Sequence, residues 1–368
     1  MMPNEPKTVS LRHFLDAFDI RADRPPNRIQ RGGRSEVYRL ERGGESFALR
    51  ILHSTIDREG IRYIQCVTEH LSRSLPEVPT LISATSGLPY AEADGRLATL
   101  SYWLPGSHPS PDSPWLLEAS AALLARVHRS SLDSPVKNSR PDRPTIESLD
   151  WTQNYLFDID TVRRILFEDS SPLYDTSQKE DWGLVSKILS RKKFLMEQFD
   201  VWSNWSKQPG GIGRSLLRAP IHGDIYAANL LSEGDCITAL IDWDECQFEP
   251  LVYELGRVLW EFAKDRQTHA LDEGKRQRFL ASYWKAGGPV PPEEQDLLSQ
   301  YICRLRILES LLYIHNSVTG DFWDARYTLE NLIALERLQG GGSAWHSGVA
   351  LRPNGTAGYR ISTGNICP

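Results

Sequence analysis

Residues 221–229 read I-H-G-D-I-Y-A-A-N, and I-D-W-D-E follows at 241–245. Asp224, Asn229 and Asp242 are three oxygen-bearing side chains set between apolar runs. The stretch A-N-L-L-S-E-G-D-C-I-T-A-L-I-D (228–242) has turn chemistry at Gly234-Asp235, a pair that tolerates the positive φ angles of a tight hairpin. A short hairpin returns the chain on itself, so Asn229 at its start and Asp242 at its end lie close together. Asp224 sits in a polar turn just ahead. The chain must therefore fold around a hairpin whose open end carries oxygen ligands. Hard cations such as Mg²⁺ favour one or two carboxylates completed by water and phosphate oxygens. The remaining carboxylate can orient a hydroxyl and accept its proton. Phosphoryl transfer needs this set of parts, because its transition state demands positioning and charge neutralisation more than covalent chemistry. Turn capping would explain any one of the three residues alone; the trio at this spacing points to chemistry.

Around this hairpin the chain divides by composition. Two further hairpins are predicted, 35–52 turning at Gly43-Gly44 and 88–103 turning at Asp94-Gly95. Between them, Ile61, Ile64, Val67 and Leu71 fall at helical spacing over 57–72. The order β-β-α-β-β makes a small lobe over 30–105, with 1–29 as an N-terminal extension. Pro105-Gly106 and P-S-P-D-S-P (109–114) then mark a connector. Ser113 is expected to cap a helix that starts at Pro114 and runs through 129. Residues 106–339 read as a larger, mostly helical lobe. Leu255, Val258, Leu259 and Phe262 are placed on one helix face, and long helices are expected over 292–316 and 321–338. The stretch 131–150 reads as a loop and 340–368 as a flexible tail. The expected class is α+β, two lobes with a cleft between them.

The spacing H-G-D-x-x-x-x-N followed by I-D-W resembles the signature of the aminoglycoside phosphotransferase and choline-kinase-like small-molecule kinases. G-G-R-S-E-V-Y-R-L (32–40) is similar to their nucleotide-loop strand and F-A-L-R-I (47–51) to the strand after it. T-L-S-Y-W-L-P-G (99–106) is similar to their inter-lobe linker, and L-L-A-R-V-H (123–128) to the helix opening their large lobe. The likeness spans about residues 30–265 and implies a bilobal protein-kinase-like fold. It implies Asp224 as catalytic base or hydroxyl-orienting carboxylate, with Asn229 and Asp242 holding Mg²⁺ on the phosphates of ATP or GTP. His222 is expected to support the loop and not to touch substrate. The backbone of Tyr102 and Leu104 would meet the adenine edge. Gly32, Gly33 and Ser35 would let the backbone approach phosphates.

One departure stands out. Where protein kinases carry V-A-I-K, this chain has A-L-R-I, with Arg50 in place of lysine. Arginine stays charged and can hold phosphate oxygens with two parallel bonds, though its length and planarity change the geometry. An arginine on the surface of an edge strand is the alternative. Glu69 is the helix carboxylate expected to pair with Arg50, and Glu59 competes for that place.

The acceptor is less constrained. Asp242, Asp244, Glu245, Glu249 and Glu254 occur within 13 residues without a Lys or Arg, which would suit a cationic acceptor such as an aminoglycoside, another antibiotic or an amino alcohol. Glu261 and Asp265 would share the next helix face. Trp243 and Tyr226 flank the cluster, and Trp151, Trp182, Trp202 and Trp205 lie in the 131–215 insert. A metabolic kinase for homoserine-like or choline-like alcohols shares these motifs, and a nucleotide-binding scaffold would keep many of them. A metal-dependent hydrolase fits poorly, because His222 is the one histidine in the cluster. A formal charge of −6 argues against nucleic acid as partner. Five scattered cysteines form no C-x-x-C pair, so neither a disulfide framework nor a zinc site is suggested. No apolar run approaches membrane length, and the N-terminus lacks an apolar signal segment, so a cytoplasmic monomer or homodimer is expected.

Overall fold

The computed structural model describes residues 11–29, 35–53, 56–143, 145–146, 157–168, 173, 182–203, 215–319 and 323–340. The small lobe is an antiparallel sheet with α1 (Leu11–Ala17) and α2 (Arg58–Leu71) packed beside it. Its strands are β1 (Asn27–Ile29), β2 (Glu36–Arg42), β3 (Glu45–Ile51), β4 (Leu81–Ile82), β5 (Ala91–Ala93) and β6 (Arg96–Tyr102). They run in the order β1-β2-β3-β6-β4, with β5 also on β6. Both predicted hairpins form at the expected turns, Gly43-Gly44 and Asp94-Gly95. In β3 the two-residue period buries Phe47, Leu49 and Ile51 and turns Arg50 to the opposite face. That strand is internal to the sheet, so Arg50 is not an edge-strand surface residue.

Residues 11–29 are part of this lobe and do not form a separate extension. Phe14, Phe18 and Ile20 join Leu40, Leu49, Ala84 and Leu100 in the core beside the sheet. Thr85 N–H donates to Ala17 O at 2.9 Å, and Gly43 N–H to the Asp23 carboxylate at 2.7 Å. The predicted helix over 57–72 is α2, capped by Asp57, which accepts from Gly60 N–H at 2.7 Å. Ile64, Val67 and Leu71 of α2 belong to the core of the large lobe, so this helix bridges the two lobes.

The large lobe opens with α3 (Leu116–Leu132). Its start lies two residues beyond the expected Pro114; Ser113 contributes its carbonyl to Leu116 N–H and no side-chain cap. Helices 251–263, 273–285, 295–319 and 325–340 follow, the last two near the expected spans, and helices 159–167, 182–189 and 192–203 pack against those two. The 251–263 helix packs against α3 and against the 273–285 and 295–319 helices, and buries Leu251, Val252, Leu255, Val258 and Leu259. One feature of this lobe was absent from the sequence reading. Strands β7 (Arg218–Ile221) and β10 (Gln247–Pro250) pair antiparallel, with Gln247 opposite Ile221. This pair closes residues 222–246 into one excursion. Within it lies the third predicted hairpin, β8 (Leu230–Glu233) with β9 (Cys236–Leu240).

The linker is clamped to that hairpin. A register shift after Leu231 makes a bulge in β9 at Thr238. Thr238 Oγ1 donates to Pro105 O at 2.7 Å, and Ser107 and Ser232 exchange backbone bonds of 2.8 and 3.0 Å. Between these contacts Gly106 sits at φ +109°, where an added Cβ would lie 2.6 Å from Thr238 Oγ1 and 2.9 Å from Ser232 O. Among the described residues, Cys66, Cys246 and Cys303 are free thiols. Residues 341–368, expected as a tail, lie outside the described residues. Among the described residues no helix is long and apolar enough to cross a membrane. Gly106→Ala should destabilise the protein by about 2 kcal/mol or more through positive φ and close approach; a thermal melt checks this, and an unchanged midpoint would contradict the clamp.

Candidate active site

β7 delivers the chain into a fully buried His222. Its Nε2 bonds Ile241 O at 3.0 Å and its Nδ1 bonds Asp224 N at 3.1 Å. A protonated Nε2 donating to the carbonyl, with Nδ1 accepting from the amide, satisfies both contacts with a neutral ring. Burial depresses the imidazole pKa in the same sense. The ring also meets Trp243 edge-on at 4.6 Å, and Trp243 is itself buried. His222 is thus a brace between the two halves of the motif, as expected, and Trp243 packs against it.

Gly223 follows at φ +84°, with Glu245 O 2.5 Å from where a Cβ would stand. Only glycine fits that contact. Its N–H donates to Glu254 Oε1 at 2.7 Å. Glu254 Oε2 bonds His128 at 2.9 Å, and the other nitrogen of His128 bonds Tyr283 Oη at 2.8 Å. Glu254 and His128 have no exposed surface. A buried chain of hydrogen bonds from α3 and two later helices therefore holds the loop that carries Asp224.

Asp224 is fixed at both oxygens. Oδ1 accepts from Arg257 Nη2 at 2.8 Å and Oδ2 from Asn229 Nδ2 at 3.0 Å. Burial, opposed by Arg257 and aided by Glu245 and Asp242, pushes its pKa up to about 6. A carboxylate so placed is ionised at neutral pH yet basic enough to take a proton. Its side chain retains 30% exposure, so the carboxylate remains open on one side. Asn229 ends a 3-10 turn (Ala227–Asn229) instead of beginning the strand. Its Nδ2 also donates to Asp224 O at 2.9 Å, which fixes the amide's orientation and reserves Oδ1 as an acceptor. Ile241 N–H donates to Asn229 O at 2.9 Å, which sets Asp242 beside it. Asp242 stands at φ +67°, a left-handed conformation uncommon outside glycine, two residues past the end of β9. The three predicted oxygen ligands do converge.

Arg50 reaches this cluster from β3. It donates to Asp244 Oδ1 and Oδ2, each at 2.7 Å, and to Asp242 Oδ1 at 2.8 Å. Glu69 and Glu59 are both exposed on α2, and neither pairs with Arg50. The expectation of a helix carboxylate is corrected: the partner is Asp244, shared with Asp242. Ser35 Oγ accepts from His53 N–H at 3.2 Å at the base of the nucleotide-loop strand. Gly32 and Gly33 lie outside the described residues. In the linker, Trp103 N–H donates to Ser46 O at 2.9 Å, and an exposed Tyr102 ring lies 5.4 Å from Phe47. Leu104 follows, half-buried, just before the clamp at Pro105.

The carboxylates of the acidic stretch 242–254 are all engaged, although the Asp242 and Glu245 side chains keep 40% and 42% exposure. Asp242 and Asp244 bind Arg50; Glu245 binds Arg143 at 2.6 Å; Glu249 accepts from Ile146 N–H at 2.6 Å; Glu254 binds Gly223 and His128. Glu261 and Asp265 also separate: Glu261 pairs with Lys264 at 2.7 Å, while Asp265 caps the turn at 267–268. Trp202 packs on the main core, Trp182 is exposed, and Trp151 and Trp205 lie outside the described residues. Arg257, Asp244, Arg140 and Arg143 were missed. Glu254 and Arg257, about one turn apart on a mostly apolar helix, were the available signal.

These elements make a bilobal protein-kinase-like chain with Asp224, Asn229, Asp242 and Arg50 gathered in one cluster. The sequence profile of the phosphotransferase enzyme family matches residues 27–294, and the chain belongs to that family. Its fold is similar to that of a spectinomycin phosphotransferase solved with ADP and spectinomycin (TM-score 0.60, 17% identity, 90% of this chain and 94% of that one). A microcompartment-associated aminopropanol kinase is similar too (TM-score 0.55, 16% identity, 89% and 96% covered). A homoserine kinase of Nitrobacter hamburgensis is 24% identical over 346 residues, 92% of this chain and 95% of that protein. One of Rhodopseudomonas palustris is 24% identical over 291 residues, 78% of each. The chain is a small-molecule kinase.

Glu249 supplies a test of the site's electrostatics. Burial pushes its carboxyl up to about 8, from an ordinary value near 4.5. The folded state therefore keeps the proton while the unfolded chain loses it. This contribution to stability is complete below pH 4.5 and is lost progressively as pH rises to about 8. Glu249→Gln keeps the acceptor for Ile146 N–H and should remove a slope of at most about 1.4 kcal/mol per pH unit in that window. Urea melts of both proteins from pH 5 to 8.5 check it; parallel pH curves would refute the buried acid.

Proposed function

We propose that the protein transfers the γ-phosphate of ATP or GTP to a hydroxyl of a small acceptor carrying an ammonium group. The carrying observation is the joint of Asp224, Asn229 and Asp242, held by Gly223, Arg257 and the β7–β10 pair. Asp224 orients the acceptor hydroxyl and takes its proton. The hydroxyl oxygen then bonds to the γ-phosphorus as the bond from phosphorus to the β–γ bridging oxygen breaks. Asn229 Oδ1 and the Asp242 carboxylate suit a hard cation, because a carboxamide oxygen and a carboxylate leave the remaining positions to phosphate oxygens and water. A Mg²⁺ held by these two residues would supply charge neutralisation to the transferring group. Arg50 adds a fixed cation to the same phosphates, and Ser35, with Gly33, lets the loop approach them. The backbone of Tyr102 and Leu104 faces the base.

A cavity of about 310 Å³ lies beside the catalytic loop, lined in part by His108, Tyr226, Glu261, Phe262, Lys264 and Arg266. Tyr226, which lines the cavity, is close enough to Asp224 to feel its charge, so an acceptor bound there lies near that carboxylate. Burial pushes Glu261 up, but the neighbouring Lys264 and Arg306 outweigh it and hold the group below its ordinary value. Glu261 is the anion available to an ammonium group. The same wall carries Lys264 and Arg266, which favours a second reading, an amino-acid alcohol whose carboxylate meets these cations. The homoserine kinase relatives support that reading.

Asp224→Ala should lower turnover by about 10²–10⁴ while Mg-nucleotide binding persists; phosphate-transfer assays and calorimetry measure the two separately, and undiminished turnover would overturn the assignment. Glu261→Gln should raise acceptor KM by roughly tenfold with little change in kcat, since it removes one charge-assisted contact. A panel of amino alcohols, aminocyclitols and hydroxy amino acids, assayed also with Arg266→Ala, separates the two readings. Only a carboxylate-bearing acceptor should lose affinity in the Arg266 variant.

A further inference from the structure

Arg50 is bound in an unusual way for a strand cation of a kinase-like lobe. Three hydrogen bonds leave its guanidinium, and two of them go to one carboxylate, Asp244, at 2.7 Å each. The third goes to Asp242 at 2.8 Å. Asp242 can therefore release its single bond while the paired bonds to Asp244 persist. The two sites are mostly shielded, with Arg50 23% and Asp244 22% exposed at the side chain. Burial lowers the Arg50 pKa, but the charges of Asp244 and Asp242 outweigh it and keep the guanidinium firmly protonated.

Asp244 is itself immobilised. Its carbonyl accepts from Arg140 Nη1 at 2.6 Å and Arg143 Nη1 at 3.2 Å. Arg140 is 3% exposed and pairs with Asp142 through two further bonds. Helix α2 meets this clamp at Gly60, where a Cβ would stand 2.5 Å from Asp142 Oδ2 and 3.0 Å from Arg140 Nη2. The helix thus supplies a bare backbone surface at this point, and its carboxylates Glu59 and Glu69 stay in solvent.

We propose that Asp244 is the positioning residue for Arg50, holding its guanidinium fork in line for the nucleotide phosphates in place of a carboxylate on α2. This inference rests on the kinase reading above. Asp242 keeps its second oxygen clear of Arg50, and the fork keeps its orientation when the Asp242 bond is released. The position of α2 reaches Arg50 through Arg140 and the Asp244 backbone.

The test is calorimetric titration of ATP, ADP and adenosine, with Mg²⁺ and with EDTA, on wild type, Asp244→Asn, Arg50→Ala, the double variant and Glu69→Gln. Asp244→Asn should weaken ATP and ADP by about tenfold or more and leave adenosine unchanged, because the charge-assisted fork acts on phosphate. Arg50→Ala should show the same split, the double variant no further loss, and Glu69→Gln wild-type affinities. If Asp244→Asn does not fold, Asp244→Glu carries the test with the same expected split. Equal losses for ATP and adenosine would mark Asp244 as merely structural and overturn the inference. So would additive losses in the double variant. Wild-type protein that binds neither ATP nor GTP in the same titration would overturn the kinase reading and this inference with it; nucleotide binding indifferent to Asp244 would overturn the inference alone.

Discussion

A carboxylate with no exposed surface, Glu254, joins three helices to the loop that carries Asp224. A carboxyl group this deep costs several kcal/mol in desolvation unless each of its oxygens is met. Here one oxygen takes the Gly223 amide and the other takes His128, which Tyr283 completes. The cost of burial is offset only when α3, the 251–263 helix and the 273–285 helix are all in place. The geometry of the loop is thereby tied to assembly of the large lobe. Gly223 must lack a side chain for the same reason, since Glu245 occupies the space.

The charges around the cleft follow one rule. Arg50, Arg143 and Arg257 each meet a carboxylate of the motif segment, and Arg140 meets the backbone at Asp244 and Cys246. A run of acidic residues in the sequence therefore becomes internal scaffolding here. The carboxylate side chains that keep most exposure are Glu245, Asp242 and Asp224. Preorganised groups of this kind act on developing charge without rearranging during the reaction, which is where enzymes of this class gain most.

Much of this was legible in the residues. Hairpins announced themselves through Gly-Gly, Asp-Gly and Gly-Asp turns, and α2 and the 251–263 helix through apolar spacing, because these signals are local. The cluster of Asp224, Asn229 and Asp242 followed from one short hairpin. The β7–β10 pair was not legible, since its partners are separated by the whole motif and only their contact defines them. The partner of Arg50 was missed for the same reason: it lies 194 residues away, and a resemblance to kinases with a helix carboxylate directed attention to α2. Leu11, Phe14, Leu15 and Phe18 fall at i, i+3, i+4 and i+7, so the helix at 11–17 and its core-facing side were legible in this local period as well.

That last feature bears on where the chain could be shortened. The recognisable motif region begins near residue 30, and a truncation there would look harmless on sequence grounds. It would instead strip two phenylalanines and an isoleucine from the side of the sheet that Leu40, Leu49 and Leu100 occupy, and leave those leucines facing water. Such a protein would keep Asp224, Asn229, Asp242 and Arg50 and yet expose a sticky apolar face beside its small lobe, with self-association as the outcome.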